Sequence, residues 1–243
     1  MIHRFDLLTS TNDEARDLRY RHGDLIVAEQ QTAGRGRRGH SWTSPPGENL
    51  TFTLVAEPAF LPVNRQFLLS EIAALALCDT FADCGISTQI KWTNDIYHGD
   101  RKLTGILIEH FYAGSTLARS IIGIGINVNQ EHFDPALPNP VSMRQIAGRP
   151  FDRDAVLERF AARFDERFAR LEAGHIAETE ADYRSRMYRF GCEQRFALPD
   201  GSQLTAVIEG VRPSGELLLR HADGSQHAYG FREIEFVIEG RRR

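Results

Sequence analysis

Cysteine is nearly absent. Cys78, Cys84 and Cys192 are the whole complement of 243 residues, an odd set with no C-x-x-C spacing. Neither a disulfide framework nor a paired zinc site follows from them, and a reducing cytoplasm is the expected setting. No apolar run approaches the ~18 residues a membrane-spanning helix needs. The first residues lack the apolar stretch of a secretory signal, and their early acids argue against a transit peptide. Positive charge is not in excess: 29 basic against 33 acidic side chains leave a net charge of −4, which excludes a generic nucleic-acid coat. Nine histidines form no H-x-x-x-H or H-E-x-x-H pair, so no protein-built metal site is expected. No G-x-S-x-G elbow appears, and no side-chain nucleophile is indicated. An apolar content of 42% with 26% charged residues describes an ordinary globular chain, one large domain or a main domain with an appendage.

Thr11-x-x-Glu14 reads as a capping box and predicts a helix from about Asn12 to Gly23. Residues 25–29 form a short apolar strand. The next twenty residues are rich in glycine and proline and predict a long functional loop. Leu50, Phe52 and Leu54 alternate with threonines as in a strand. A helix is predicted over 66–82, a strand over 89–92 running into a Thr93-Asn94-Asp95 turn, and a hairpin of strands 102–110 and 118–128. Pro135, Pro138 and Pro140 mark an irregular crossing. Leu157, Phe160, Phe164, Phe168 and Leu171 form one apolar stripe on a helix over 152–173, and another helix is expected over 176–187. Beyond Gly191, short alternating strands are separated by Pro199-Asp200-Gly201, Pro213-Ser214-Gly215 and Asp223-Gly224, the spacing of a small β-barrel. The expected domains are 1–189 and 190–243.

Gly34-Arg35-Gly36-Arg37-Arg38-Gly39 is the most informative stretch. Glycines let backbone approach a ligand, and arginines offer forked donors to carboxylate and phosphate oxygens. It matches G-x-G-x-x-G formally, but His40-Ser41-Trp42 and two prolines follow where a helix should. It approaches a P-loop, with His40 in place of lysine. An arginine-rich RNA-binding segment and a solvated basic loop are the remaining readings. Lys91 to Asp95 place a cation, an aromatic, an amide and a carboxylate at a strand end. Lys102 opens a strand in which Gly105 permits close approach, and Gly123 and Gly125 repeat that device on the partner strand. Helix capping alone would explain Ser10-Thr11-Asn12. Together these residues describe a carboxylate- and phosphate-binding pocket that works by positioning and charge neutralisation.

The ordered set Ser10-Thr11-Asn12, residues 30–39, Trp42, Lys91 to Asp95, residues 101–109 and residues 123–128 resembles biotin protein ligase, the biotin–[acetyl-CoA-carboxylase] ligase family. The resemblance spans about residues 7 to 130 in order. It implies an α+β fold like the catalytic core of class II aminoacyl-tRNA synthetases, a mixed and largely antiparallel sheet with helices, plus a small C-terminal Src-homology-3-like barrel. Some members carry an N-terminal DNA-binding domain. Here the motifs begin at residue 10, so a monofunctional ligase without that domain is expected.

The implied reaction joins the biotin carboxylate to the α-phosphate of ATP, with Mg²⁺ on the phosphates, then transfers the acyl group to a lysine of a biotin carboxyl carrier protein. The resemblance assigns biotin contacts to Ser10, Thr11, Asn12, Gln31, Arg35, Gly36, Arg37, Lys102, Gly105, Gly123 and Gly125. It assigns nucleotide contacts to Arg37, Arg38, Trp42, Lys91, Asn94 and Asn127, and catalysis to Lys102, Arg37 and Asp95. The three glycines are expected to leave room for a flat bicyclic ring. Two departures stand out. Thr93 replaces the usual proline of the Lys-Trp-Pro-Asn-Asp turn. Arg232-Glu233-Ile234-Glu235 replaces a Gly-Glu-(Ile/Val)-Ser run, which puts a barrel contact to nucleotide in question. Neither nucleic acid nor membrane is an expected partner, and the chain is expected to be a monomer or homodimer. The alternatives are a ligase for another acid, such as lipoate, and a non-enzymatic anion or nucleic-acid binder.

Overall fold

The computed structural model describes residues 1–36, 39 and 41–238. Its centre is a seven-stranded sheet in the order β1-β2-β3-β7-β6-β5-β4. The strands are β1 (Ile2–Leu8), β2 (Leu25–Gln31), β3 (Leu50–Ala56), β4 (Gln89–Lys91), β5 (Asp95–His98), β6 (Arg101–Ala113) and β7 (Thr116–Ile126). Only β1 and β2 run parallel; the other pairs are antiparallel. Helices α2 (Phe67–Asp83), α4 (Arg153–Glu172) and α5 (Ile176–Ser185) pack together beside it. The stripe Leu157, Phe160, Phe164, Phe168, Leu171 is buried as its period requires.

Strand register decides what each sheet face carries. Phe52, Ile124 and Ile106 are cross-strand partners, and they join the core cluster that includes α2 and α4. The alternate residues make the opposite face. One row across four strands is Thr51, Gly125, Gly105 and Asp95; the next is Thr53, Gly123 and Leu107. Glycine recurs where the apolar face has isoleucine. A long trough therefore runs across a sheet that is otherwise closely packed.

The C-terminal part forms a second, five-stranded antiparallel sheet in the order β11-β10-β9-β8-β12. Its strands are β8 (Glu193–Ala197), β9 (Gln203–Val211), β10 (Leu217–His221), β11 (Gln226–Tyr229) and β12 (Glu235–Phe236). The architecture is thus α+β with a small Src-homology-3-like unit, as the sequence implies. The two sheets share one apolar core. The Trp92 Nε1–H donates to the Gly215 carbonyl at 2.9 Å, and a Cβ on Gly215 would stand 2.6 Å from the Phe67 ring.

Several expectations need correction. Helix α1 is only Thr11–Glu14, not residues 12–23. The Arg16 and Asp17 amides turn to the Asp13 and Glu14 carbonyls at 3.2 and 3.1 Å, which ends the helical ladder, and Arg119 of β7 then takes the Ala15 carbonyl at 2.9 Å. The capping box is not made either: Ser10 is the N-cap and its side chain makes no cap bond. Strand β1 was not expected, because its burial is broken along its length. Strand β5 and the short helix α3 (Met143–Ala147) were also missed, although Ser142 and Gln145 form a reciprocal capping box there.

Glu71 of α2 is 5% exposed, and its Oε2 has no partner among the described residues. Burial, reinforced by the charge of Glu180, pushes its carboxyl up to about 8. The folded chain then holds a proton that the unfolded chain, with its ordinary value of 4.5, has released. Stability from this group is full below about pH 4.5 and is lost as pH rises towards 8. Between pH 5 and 8.5 the protein should lose on the order of 2–4 kcal/mol that Glu71→Gln does not lose. Urea denaturation at both pH values measures the difference; equal pH slopes would contradict it.

Candidate active site

The trough opens into a cleft lined by residues from seven segments. At one end the polar side chains are buried. Ser10, Thr11 and Asn12 are only 3–4% exposed. The Thr11 amide donates to Gln31 Oε1 at 2.7 Å, and the Thr11 hydroxyl reaches the same oxygen at 3.2 Å. The Thr53 hydroxyl lies 2.6 Å from Asn12 Oδ1 and 2.8 Å from Thr11 Oγ1. Asn12 Nδ2 donates to the Leu107 carbonyl and to Glu109. Capping therefore does not account for Ser10-Thr11-Asn12. Their polarity is spent on a hydrogen-bonded wall of the cleft.

The cations of the cleft are already paired. Lys102 Nζ is 2.7 Å from Asp95 Oδ1. Arg35 holds Asp13 at 2.6 Å and Glu109 at 3.0 Å, and Glu109 also receives Arg16 at 2.5 Å. Burial raises the Glu109 carboxyl, but hydrogen bonds from Arg16 and Asn12 and the charges of Arg16 and Arg35 outweigh it and hold the group below the usual glutamate range. An incoming anion thus meets cations that must exchange partners.

A β-bulge puts Lys102 where it is. Ile96 pairs with Thr104, but Tyr97 pairs with Lys102, so Leu103 has no cross-strand partner. In an unbroken strand residues 102 and 105 face opposite ways. The bulge returns Lys102 to the trough side, with Nζ 3.3 Å from where a Gly105 Cβ would stand. The backbone of Lys102 is clamped by the segment 139–141, its N–H by the Asn139 carbonyl at 2.7 Å and its carbonyl by the Val141 N–H at 2.9 Å.

The cleft brings together Ser10, Thr11, Asn12, Gln31, Arg35, Gly36, Trp42, Lys91, Asn94, Asp95, Lys102, Gly105, Gly123 and Gly125 of the expected residues. Arg37 and Arg38 lie outside the described residues. Asn127 does not line the cleft. Its amide donates to the Val141 carbonyl at 3.1 Å and more weakly to that of Lys102, which makes it a brace behind Lys102. Asn94 lines the wall, while its amide ties the turn to the Ile106 carbonyl of β6. The turn contains a cis Trp92–Thr93 peptide. The space beside the glycines is used by the chain itself. A Cβ on Gly123 would fall 2.2 Å from Asn12 Oδ1, and one on Gly125 would fall 2.1 Å from the Trp42 ring.

Sequence reasoning overlooked Thr51, which lines the cleft, Thr53, which bonds to Thr11 and Asn12, and Phe231 and Phe236 of the C-terminal part; of the run 232–235 that it did single out, Ile234 and Glu235 line the cleft. Alternation along β3 could have flagged the threonines. Nothing local marks Phe231 and Phe236, which arrive by sheet docking. Among the described residues no group of three His, Cys, Asp or Glu could hold a metal ion, and no helix is long and apolar enough to cross a membrane.

The fold is that of the biotin protein ligases. The enzyme of Aquifex aeolicus solved with biotin and ATP superposes with a TM-score of 0.79 over 99% of this chain and 96% of that one, at 24% identity. Residues 4–127 match the Biotin/lipoate A/B protein ligase family, and the chain belongs to it. It is 33% identical to the biotin--[acetyl-CoA-carboxylase] ligase of Paracoccus denitrificans, over 83% of this chain and 85% of that protein. It is 31% identical to the bifunctional ligase/repressor BirA of Bacillus subtilis, over 92% of this chain and 70% of that protein.

Trp42 is the side chain most exposed to a change in the trough. Gly125→Ala must expel its indole, whereas at Gly105 the nearest Trp42 ring atom is 3.5 Å from the added Cβ, an ordinary contact. Gly125→Ala is expected to red-shift tryptophan emission and raise acrylamide quenching, and Gly105→Ala to leave both nearly unchanged. Identical spectra for the two variants would contradict this packing.

Proposed function

We infer that the protein activates biotin with ATP as biotinyl-5′-adenylate, releasing pyrophosphate, and then passes the biotinyl group to a lysine of a biotin carboxyl carrier protein, releasing AMP. One observation carries the choice of acid: the polar wall of buried Ser10, Thr11 and Asn12 and half-buried Gln31, backed by Thr53, shares one cleft with the Lys102–Asp95 pair. A cyclic urea offers two N–H donors and a carbonyl acceptor to such a wall. The apolar chain of octanoate, or the dithiolane of lipoate, would displace water from the remaining donors and acceptors of this wall without replacing its hydrogen bonds. Each loss would cost about 1–3 kcal/mol.

Lys102 sits where the biotin carboxylate and the α-phosphate must meet. These anions repel, and an ammonium between them offsets the repulsion and the charge developing on phosphorus. Because Lys102 is paired with Asp95 beforehand, an arriving carboxylate exchanges one ion pair for another and frees the Asp95 carboxylate. Asp95, released by that exchange, is placed to hold the ammonium of the carrier lysine or accept its proton. Arg35 and Gly36 stand at the cleft edge beside the acid, to which the resemblance also assigns Arg37; Gly105 lies beneath it, and Gly123 and Gly125 seat the Asn12 and Trp42 side chains that flank it. Trp42, Lys91, Asn94 and the second sheet wall the nucleotide end, to which the resemblance also assigns Arg38. The bracing of Lys102 by Asn127 is an indirect route by which that residue serves the nucleotide. Mg²⁺ would enter on the triphosphate, held by phosphate oxygens and water with at most a single cleft carboxylate such as Asp95. The catalytic unit is taken as 1–189 and the small unit as 190–243. Three unpaired cysteines suit a reducing cytoplasm.

The direct test incubates the protein with biotin, ATP, Mg²⁺ and a carrier domain. Amide-linked biotin on the carrier is expected, and its absence rejects the reading. Lys102→Ala should slow adenylate formation by about 10²–10³-fold while shifting the thermal midpoint little. The hydroxyl of Thr53 orients Asn12 from behind the wall. Thr53→Val should raise KM for biotin about 10-fold, leave KM for ATP unchanged and narrow the preference for biotin over octanoate; Thr53→Ser should restore all three. An equal rise in both KM values would assign Thr53 a merely structural role.

A further inference from the structure

Lysine is ordinarily among the commonest residues, yet this chain has two, Lys91 and Lys102, among 29 basic side chains. Both line the cleft. Lys102 is ion-paired with Asp95 at 2.7 Å. Lys91 is 8% exposed, and its ammonium lies 4.8 Å from the Phe236 ring centroid and 5.4 Å from that of Tyr97. Every basic side chain elsewhere, other than histidine, is arginine.

Given the reaction inferred above, we propose that this lysine-free exterior is a specificity device: it denies the enzyme's own surface to the acyl-adenylate, so that the carrier lysine is the ε-amine the intermediate meets. The chemistry is general. A neutral ε-amine attacks the carbonyl carbon of the mixed anhydride, a C–N bond forms, the bond from that carbon to the phosphate oxygen breaks, AMP departs, and the amine proton goes to water. A solvated lysine is neutral in only about 0.4% of molecules at pH 8. A side chain fixed at the cleft mouth, however, meets each escaping molecule at high effective concentration. Arginine keeps the positive charge and its ion pairs, while its delocalised guanidinium stays protonated and is no nucleophile. Exchanging lysine for arginine thus removes a competing acceptor at little electrostatic cost. This is selection against a wrong partner, and here the wrong partner is the enzyme itself. The two remaining ammonium groups are kept from attack differently, one by a carboxylate and one by burial among aromatic rings.

Arg101 and Arg232 are exposed and adjoin the cleft residues Lys102 and Phe231. Arg101→Lys and Arg232→Lys each restore an amine without altering charge. Wild type and both variants are incubated with biotin, ATP and Mg²⁺ without carrier, and biotin is located by peptide mass spectrometry. A parallel reaction with the carrier domain tests the underlying activity and the folding of each variant. We expect at least 10-fold more self-attached biotin in the variants, at the introduced lysine, and equal carrier labelling by all three proteins. Failure of the wild type to label the carrier would remove the functional reading itself. Normal carrier labelling with no more self-attached biotin in the variants than in the wild type would overturn this inference alone and leave the scarcity of lysine a compositional habit. Rapid labelling of Lys91 or Lys102 in the wild type would overturn it equally.

Discussion

The Lys102–Asp95 ion pair is the point around which the site is organised. It joins adjacent strands across the one place where β5 and β6 fall out of register. Were β6 to pair here without the bulge, Lys102 would face the other way, into the apolar layer where a charge is costly. The bulge is itself held. Residues 139–141 clamp the Lys102 backbone from one side, and Asn127 braces that segment from behind. A surface-strand lysine therefore becomes a fixed charge at the floor of a cleft, which is what chemistry by positioning needs.

At the polar end of the cleft and at its edge, charge and polarity are satisfied in advance. Arg35 is shared between Asp13 and Glu109, Glu109 is shared between Arg16 and Arg35, and Thr11, Asn12, Gln31 and Thr53 bond to each other. Such a wall is rigid, and a buried polar group left unmatched there is expensive. Recognition becomes a matter of exchange: a ligand that can replace the bonds it disturbs is accepted, and one that cannot is rejected.

The second sheet does more than sit beside the first. Trp92 adjoins the turn that carries Asn94 and Asp95, and its indole is tied to Gly215 of the β9–β10 turn. Phe236 packs against Lys91. The cleft therefore has walls from two sheets, and the departure at residues 232–235 lies on a segment that borders it, since Ile234 and Glu235 line the cleft.

Sequence by itself determined the residue types of the site and most of the helical and strand layout. The apolar stripe on α4 needs one face of a 3.6-residue period, and the glycines at 105, 123 and 125 announce clearance in strands that otherwise favour branched side chains. Local signals failed where a distant group intervened. A capping box at Thr11 lost to Gln31 and Thr53, and beyond the short helix the Ala15 carbonyl is tied to Arg119 of β7. Only the tertiary structure decided which way Lys102 points, that Trp42 and Asn12 fill the glycine clearances, that Asn127 braces rather than lines, and that residues from the far end of the chain close the cleft. The physical reason is the same in each case: composition and period are local quantities, whereas strand register, partner exchange and sheet docking are set by groups that meet only after the chain has folded.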